Sequence, residues 1–343
     1  MKRILAALAI LCFAPDAQAK GPAGSVEITV KATHRQHLIS GAVWYPAGTG
    51  GTPAIVYENP VFKGTPVLRD AKVSAGQHHV VVLSHGLFAH FRTLSWLAAG
   101  LAERGAIVVA VNHPGSTLGD RDMKVSLEHW NRIADLQAAV AQLQADPRFA
   151  AHLDMTRVYA GGFSYGGWTA LSMGGLTGNL AAYARHCAEV GERSTHCKDI
   201  ARGGVDLATL DAGLWKRSYK DPRIIGVAVI EPALLYGVTT DDVKGLVDRV
   251  ALIGLGTGPD RLLATDFGPS GSNFAALLPR ATATILAPAN HFSVLPECKP
   301  EGAAILAEDH DDPVCTDPAG TDRGKVHAAV IDAVSRAFQL ESE

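Results

Sequence analysis

The sequence predicts an α/β fold, a mostly parallel, doubly wound sheet with one large insertion, and three observations predict it. Short, nearly continuous apolar runs recur at 79–84 (HVVVLS), 106–112 (AIVVAVN), 157–161 (RVYAG), 224–230 (IIGVAVI), 250–255 (VALIGL) and 282–287 (TATILA). Runs of this kind are what parallel strands buried on both faces require. Among them, 93–104, 129–145 and 165–175 carry apolar residues at helical spacing, and 325–340 makes a last amphipathic helix. Strand–helix alternation puts helices on both faces of a parallel sheet. The third observation is a glycine-rich turn, Gly162-Phe163-Ser164-Tyr165-Gly166, set between the strand 157–161 and the helix that follows.

The chain has 343 residues, of which 47% are hydrophobic and 19% charged, enough apolar surface to exclude a disordered protein. The net charge of −3 gives no basic excess, so a nucleic-acid partner is not expected.

At the start of the chain, Lys2 and Arg3 precede an apolar run from Ile4 to Ala14, which Pro15 ends. Ala17 and Ala19 supply small residues at −3 and −1, the layout of a cleaved signal over 1–19. The run is too short to span a bilayer, which takes about 20 apolar residues. Cys12 follows Leu11 rather than a small residue, which argues against a lipid anchor. Cleavage removes Lys2, Arg3 and Asp16 and takes the charge from −3 to −4. The mature chain carries no other segment apolar enough to cross a membrane.

Residues 25–30 and 38–45 alternate and are rich in β-branched side chains, so they read as early antiparallel strands. The six later runs fit one domain over 20–343, interrupted at 176–222 by a segment with two cysteines, several charges and only weak helical spacing. That insertion follows the fifth strand. It is placed either to roof a pocket at the carboxyl ends of the sheet, as a lid, or to run as a solvated excursion. The acidic stretch 308–323 reads as a solvated loop, since it lacks the spaced carboxylates of a calcium loop.

Export gives the cysteines a meaning. Cys187, Cys197, Cys298 and Cys315 remain after cleavage, an even number, and pairing near neighbours gives Cys187–Cys197 and Cys298–Cys315. Neither pair has the spacing of a zinc site, so no metal is expected.

The glycine-rich turn carries chemistry. G-x-S-x-G between a strand and a helix lifts Ser164 above the sheet as a nucleophile, and the helix N-terminus favours nearby negative charge. Its base is His291, in the loop after the last strand, because the order serine, acid, histidine then holds along the chain. His78, His79, His129 and His310 have no such placement and read as solvated. Two acids compete. Glu231 ends an apolar strand, where a carboxylate needs a donor, and Asp260 lies in the loop after the next strand. The desolvation of a carboxylate at the end of an apolar run favours Glu231. Backbone amides of Tyr165 and Leu87 are the expected oxyanion donors, with Gly86 allowing the sharp turn before Leu87 and His85 making structural contacts below it.

These motifs resemble the platelet-activating-factor acetylhydrolase family. The resemblance rests on Ser84-His85-Gly86-Leu87, Phe91-Arg92-Thr93-Leu94, Ile107 to His113, Gly162 to Gly167 and Asn290-His291-Phe292, and it covers most of 79–295 in motif order. It implies an α/β-hydrolase fold, calcium-independent hydrolysis of short or oxidised acyl esters of phospholipids, and an acid after the sixth strand, here Glu231 where the family usually has Asp. The chain also resembles dienelactone-hydrolase-like proteins, although that enzyme's nucleophile is Cys and this chain has Ser164. The expectation is an exported serine hydrolase of small-molecule or lipid esters that needs no cofactor. A peptidase or amidase on the same fold, or a silent binding protein, would carry the same scaffold.

Overall fold

A computed structural model describes residues 21–340. The signal expected over 1–19 lies outside the described residues. In chain order the strands are β1 (Gly24–Val30), β2 (Ile39–Tyr45), β3 (Thr52–Val56), β4 (Thr65–Arg69), β5 (His78–Ser84), β6 (Ala106–Val111), β7 (Ser116–Thr117), β8 (Asp120–Arg121), β9 (Leu153–Phe163), β10 (Ile224–Ile230), β11 (Val250–Leu255) and β12 (Thr282–Leu286). The helices are α1 (Ser95–Ala102), α2 (Met123–Ser126), α3 (His129–Ala145), α4 (Tyr165–Gly174), α5 (Leu180–Val190), α6 (Thr195–Arg202), α7 (Ala212–Lys216), α8 (Gly302–Glu308) and α9 (Arg323–Ala337).

Ten strands form one sheet in the order β12-β11-β10-β9-β5-β6-β2-β1-β4-β3, and β7 and β8 make a separate hairpin. The six strands from β12 to β6 are mutually parallel, whereas β2 runs antiparallel to both β6 and β1. Side chains alternate across the sheet, so each strand feeds two cores. On β5, Val80 and Val82 join the core beneath α3 and α4, while Val81 and Leu83 join the core beneath α1 and α9. This is the doubly wound arrangement expected from the apolar runs.

Three expectations need correction. β3 and β4 were not foreseen, because Pro53 and Pro66 each stand second in a five-residue strand. Proline cannot donate to a ladder and is confined to edges and strand starts, and β3 is the sheet's outer strand. β12 is not buried on both faces. It is the opposite edge, and Ile285 is 46% exposed. Finally, the insertion is largely helical, with α5, α6 and α7 inside 176–222. Disulfides join Cys187 on α5 to Cys197 on α6, and Cys298 to Cys315. No described helix is long and apolar enough to cross a membrane.

The connection from β5 leads to β6 on one side, and the chain then crosses over to β9 on the other. Loops leaving the carboxyl ends of β5 and β9 therefore diverge, which opens the crevice where α/β sheets bind ligands. Leu87 follows β5 at this edge, Ser164 follows β9, Glu231 follows β10 and His291 follows β12.

Candidate active site

Ser164 sits between β9 and α4 with φ +54° and ψ −118°, a conformation that costs about 1–3 kcal/mol in a residue with a side chain. The surroundings hold it there. Its N–H donates to the Ile230 carbonyl at 2.9 Å, and its carbonyl accepts from Gly167 and Ala233. The flanking glycines are sterically required. A Cβ on Gly162 would lie 2.1 Å from the Gly166 carbonyl oxygen, and one on Gly166 would lie 1.9 Å from that of Ser84. Gly86 behaves otherwise. Its φ is not in the left-handed region, and a Cβ there would meet Phe163 and Ser164 at ordinary contact distances of 3.4–3.5 Å. The strained turn expected at Gly86 falls instead on Phe88, with φ +53°.

His291 opens a short 3-10 turn, His291–Val294, whose start is fixed by a reciprocal cap between Asn290 and Ser293. Its Nδ1 lies 3.2 Å from Glu231 Oε2, and its ring packs 4.6 Å from that of Phe163, the residue before Ser164. A carboxylate only accepts, so Nδ1 carries the hydrogen and Nε2 is left as the basic nitrogen.

Glu231 is fully buried, at φ +50°. Each lone-pair direction is used. Oε1 accepts from the Leu255 N–H at 2.8 Å and from Arg261 Nη1, and Oε2 accepts from Thr265 Oγ1 at 2.7 Å and from His291. An unpaired buried carboxylate would be very costly, and these four donors with the Arg261 charge are what permit it. Asp260 is exposed, and among the described residues its carboxylate has no hydrogen-bonding or ionic partner. The loop after β11 thus brings the counter-ion of Glu231, Arg261, rather than a carboxylate to His291. Nothing in the sequence marked Arg261 for this, as it lies 30 residues from Glu231.

Leu87 and Tyr165 line a cavity of ≈ 20 Å³ beside Ser164, together with Leu127, His196, Ile200, Ala233 and Leu234. Among the described residues neither the Leu87 nor the Tyr165 N–H donates to a protein acceptor. His196 and Ile200 come from α6, so the insertion contributes to the wall of this cavity. Burial, with the neighbouring His291, pushes the His196 imidazole down to about 3, which keeps it neutral. Sequence reading missed His196, because nothing local distinguishes it from a surface histidine in a cysteine-rich segment.

The histidines read as solvated divide. His310 is exposed, but His79 and His129 are buried, the latter within a ring of Trp130, Trp168, Trp215 and Tyr219. His85 is buried and its Nδ1 bonds the Gly86 carbonyl at 2.7 Å. The acidic stretch is also more than a solvated loop. Asp317 accepts from Ser293 Oγ at 2.7 Å, and the Thr316 carbonyl accepts from Asn290, so this segment props the His291 turn from behind.

A second serine–histidine–aspartate chain lies deeper. Ser84 Oγ is 3.0 Å from His113 Nε2, and His113 Nδ1 is 3.0 Å from Asp135 Oδ2. All three residues are 0% exposed, so no substrate reaches them. Burial alone would raise Asp135. Bonds from His113, His34 and Arg35 overcome that and hold its carboxyl far below the usual range. No cluster of metal-ligating side chains occurs among the described residues.

No family model matches the chain, and no curated protein matches it. Solved structures similar to it include a ferulic acid esterase from Streptomyces cinnamoneus, 16% identical, with a TM-score of 0.54 over 93% of this chain and 89% of that one. Another is a dienelactone hydrolase from Anabaena variabilis, 12% identical, with a TM-score of 0.43 over 84% of this chain and 95% of that one. Strand order, the turn at Ser164 and the likeness to the first of these agree: the chain has the α/β-hydrolase fold.

Proposed function

We propose that this chain is an exported serine hydrolase of carboxylic esters, with Ser164 as nucleophile, His291 as general base and Glu231 as the acid. The observation that carries the reading is the 3.2 Å contact between His291 and a fully buried Glu231, at strand ends adjoining the strained turn of Ser164.

His291 Nε2 takes the Ser164 proton as Oγ attacks the ester carbonyl, and Glu231 stabilises the imidazolium that forms. The free amides of Leu87 and Tyr165 receive the oxyanion. Donors of this type contribute about 2.7–4 kcal/mol each to transition-state stabilisation. The proton passes to the departing alcohol, and water, deprotonated in turn by His291, hydrolyses the acyl-enzyme. The chain's own residues supply every group in this sequence.

The cavity beside Ser164 is lined mainly by apolar side chains, which supports an apolar acyl group rather than a charged one. The resemblance to platelet-activating-factor acetylhydrolases points the same way, toward small-molecule or phospholipid-type esters. The signal layout and the two disulfides support export, to the periplasm or the medium.

A fluorophosphonate probe tests the nucleophile. It labels Ser164 in the wild type and nothing in Ser164→Ala, and no labelling would end the reading. Short p-nitrophenyl esters are expected to turn over and peptide anilides are not; the reverse would make the chain an amidase.

A further inference from the structure

We infer that Arg132 is a positioning residue that sets the spacing of the two oxyanion donors. The inference rests on the reading of Leu87 and Tyr165 as those donors, and it goes beyond that reading to a side chain on another element.

Arg132 projects from α3 and is 1% exposed. A buried guanidinium keeps its charge only when its donors are satisfied. Here Nη2 donates to the carbonyl of His85 and to Ser84 Oγ at 3.1 Å, both at the start of the segment that carries Leu87. Nε donates to Thr169 Oγ1 at 3.0 Å, and that hydroxyl donates at 3.2 Å to the carbonyl of Tyr165. The guanidinium carbon also stands 4.7 Å over the Tyr165 ring. Nη1 reaches the hairpin at Ser116 Oγ, 2.7 Å away. One rigid, planar group therefore grips both donor segments, which are far apart in the sequence.

The peptide bearing the Leu87 N–H is fixed from the other side as well. Its carbonyl, that of Gly86, is bonded by His85 Nδ1, whose ring packs 4.9 Å from His113. Arg132 holds the preceding peptide and His85 holds this one, so the Leu87 N–H has little freedom to turn. Burial lowers the Arg132 guanidinium to about 10, which leaves it charged at neutral pH. Lysine has no planar fork and cannot span Ser84, His85, Thr169 and Ser116 at once.

The test compares wild type with Arg132→Lys, Arg132→Met and Thr169→Val, each checked for folding by near-UV circular dichroism. A loosened donor pair should lower kcat on a p-nitrophenyl ester about 10²-fold in Arg132→Met, less in the other two, with KM near the wild-type value. Affinity for a trifluoromethyl ketone, which forms a tetrahedral oxyanion adduct, should fall by the same factor as kcat/KM. If the folded variants keep wild-type kcat and inhibitor affinity and lose only Tm, Arg132 is structural and the inference is overturned. Should Arg132→Met not fold, Arg132→Lys and Thr169→Val decide by the same criteria. Full activity in Ser164→Ala would instead overturn the site reading, and this inference with it.

Discussion

Acidification should destabilise this protein through two histidines that the fold seals in. His129 is 1% exposed, with four aromatic ring centroids 5.2–5.9 Å from its own, and burial pushes its imidazole down to about 3. His113 is 0% exposed, and burial with the nearby Arg132 charge pushes it to about 3 as well. In the unfolded chain both titrate near ~6.5. Between these values the unfolded state binds protons that the folded state refuses. Stability is therefore full above about pH 6.5 and is lost as the pH falls toward about 3. Each histidine costs about 1.4 kcal/mol per pH unit in that window, so at pH 5 each removes about 2 kcal/mol and the pair about 4 kcal/mol. That is a large share of a typical domain stability of roughly 5–15 kcal/mol. The assay is urea unfolding at half-unit steps from pH 8 to 5, for wild type and His129→Phe. Phenylalanine keeps a ring in the aromatic cage and removes the titration, so its stability should fall less steeply with acid, by about 1.4 kcal/mol per pH unit. Offsets from altered packing drop out of the slope. Parallel lines for the two proteins across this range would refute the reasoning.

Three further outcomes follow from the site. Glu231→Gln should reduce kcat by on the order of 10⁴, as loss of the orienting carboxylate does in serine triads, whereas Asp260→Asn should stay near wild type in the same steady-state assay. Gly166→Ala places a Cβ 1.9 Å from a backbone oxygen and should give no folded enzyme, while Gly86→Ala meets only 3.4–3.5 Å contacts and should express as soluble, active protein. Replacing Cys187 and Cys197 together by serine should cost about 2–4 kcal/mol in urea unfolding. Because Cys197 lies between His196 and Ile200 on α6, the same change should also raise KM for an acetate ester.

The site is supported from several directions at once. The Asn290–Ser293 cap and Asp317 hold the His291 turn, and the Cys298–Cys315 disulfide closes the loop that delivers Asp317. Arg261 and Thr265 complete the bonding of Glu231. In the proposed mechanism such support matters, because geometric error at reacting groups is expensive, about 10²-fold in rate for a displacement near 1 Å.

The sequence by itself determined the fold class and the turn at Ser164. Apolar period and glycine sterics are properties of neighbours in the chain. A run such as VALIGL reads as a buried strand wherever it falls, and Gly162 and Gly166 are required by atoms within a few residues or on the adjoining strand end. Chain order likewise singled out His291. Where local signals were ambiguous, as at the proline-bearing β3 and β4 or the edge strand β12, position in the sheet settled the matter, and periodicity does not encode position. Only the tertiary structure decided which polar groups meet. His291 and Glu231 are 60 residues apart, and Arg35 and Asp135 are 100. Arg261, not its neighbour Asp260, came to lie against Glu231, α6 brought His196 to the cavity beside Ser164, and Arg132 joined the segment after β5 to α4. Buried polar groups are fixed by the partners that replace water, and those partners are chosen by packing between distant elements, which no local pattern records.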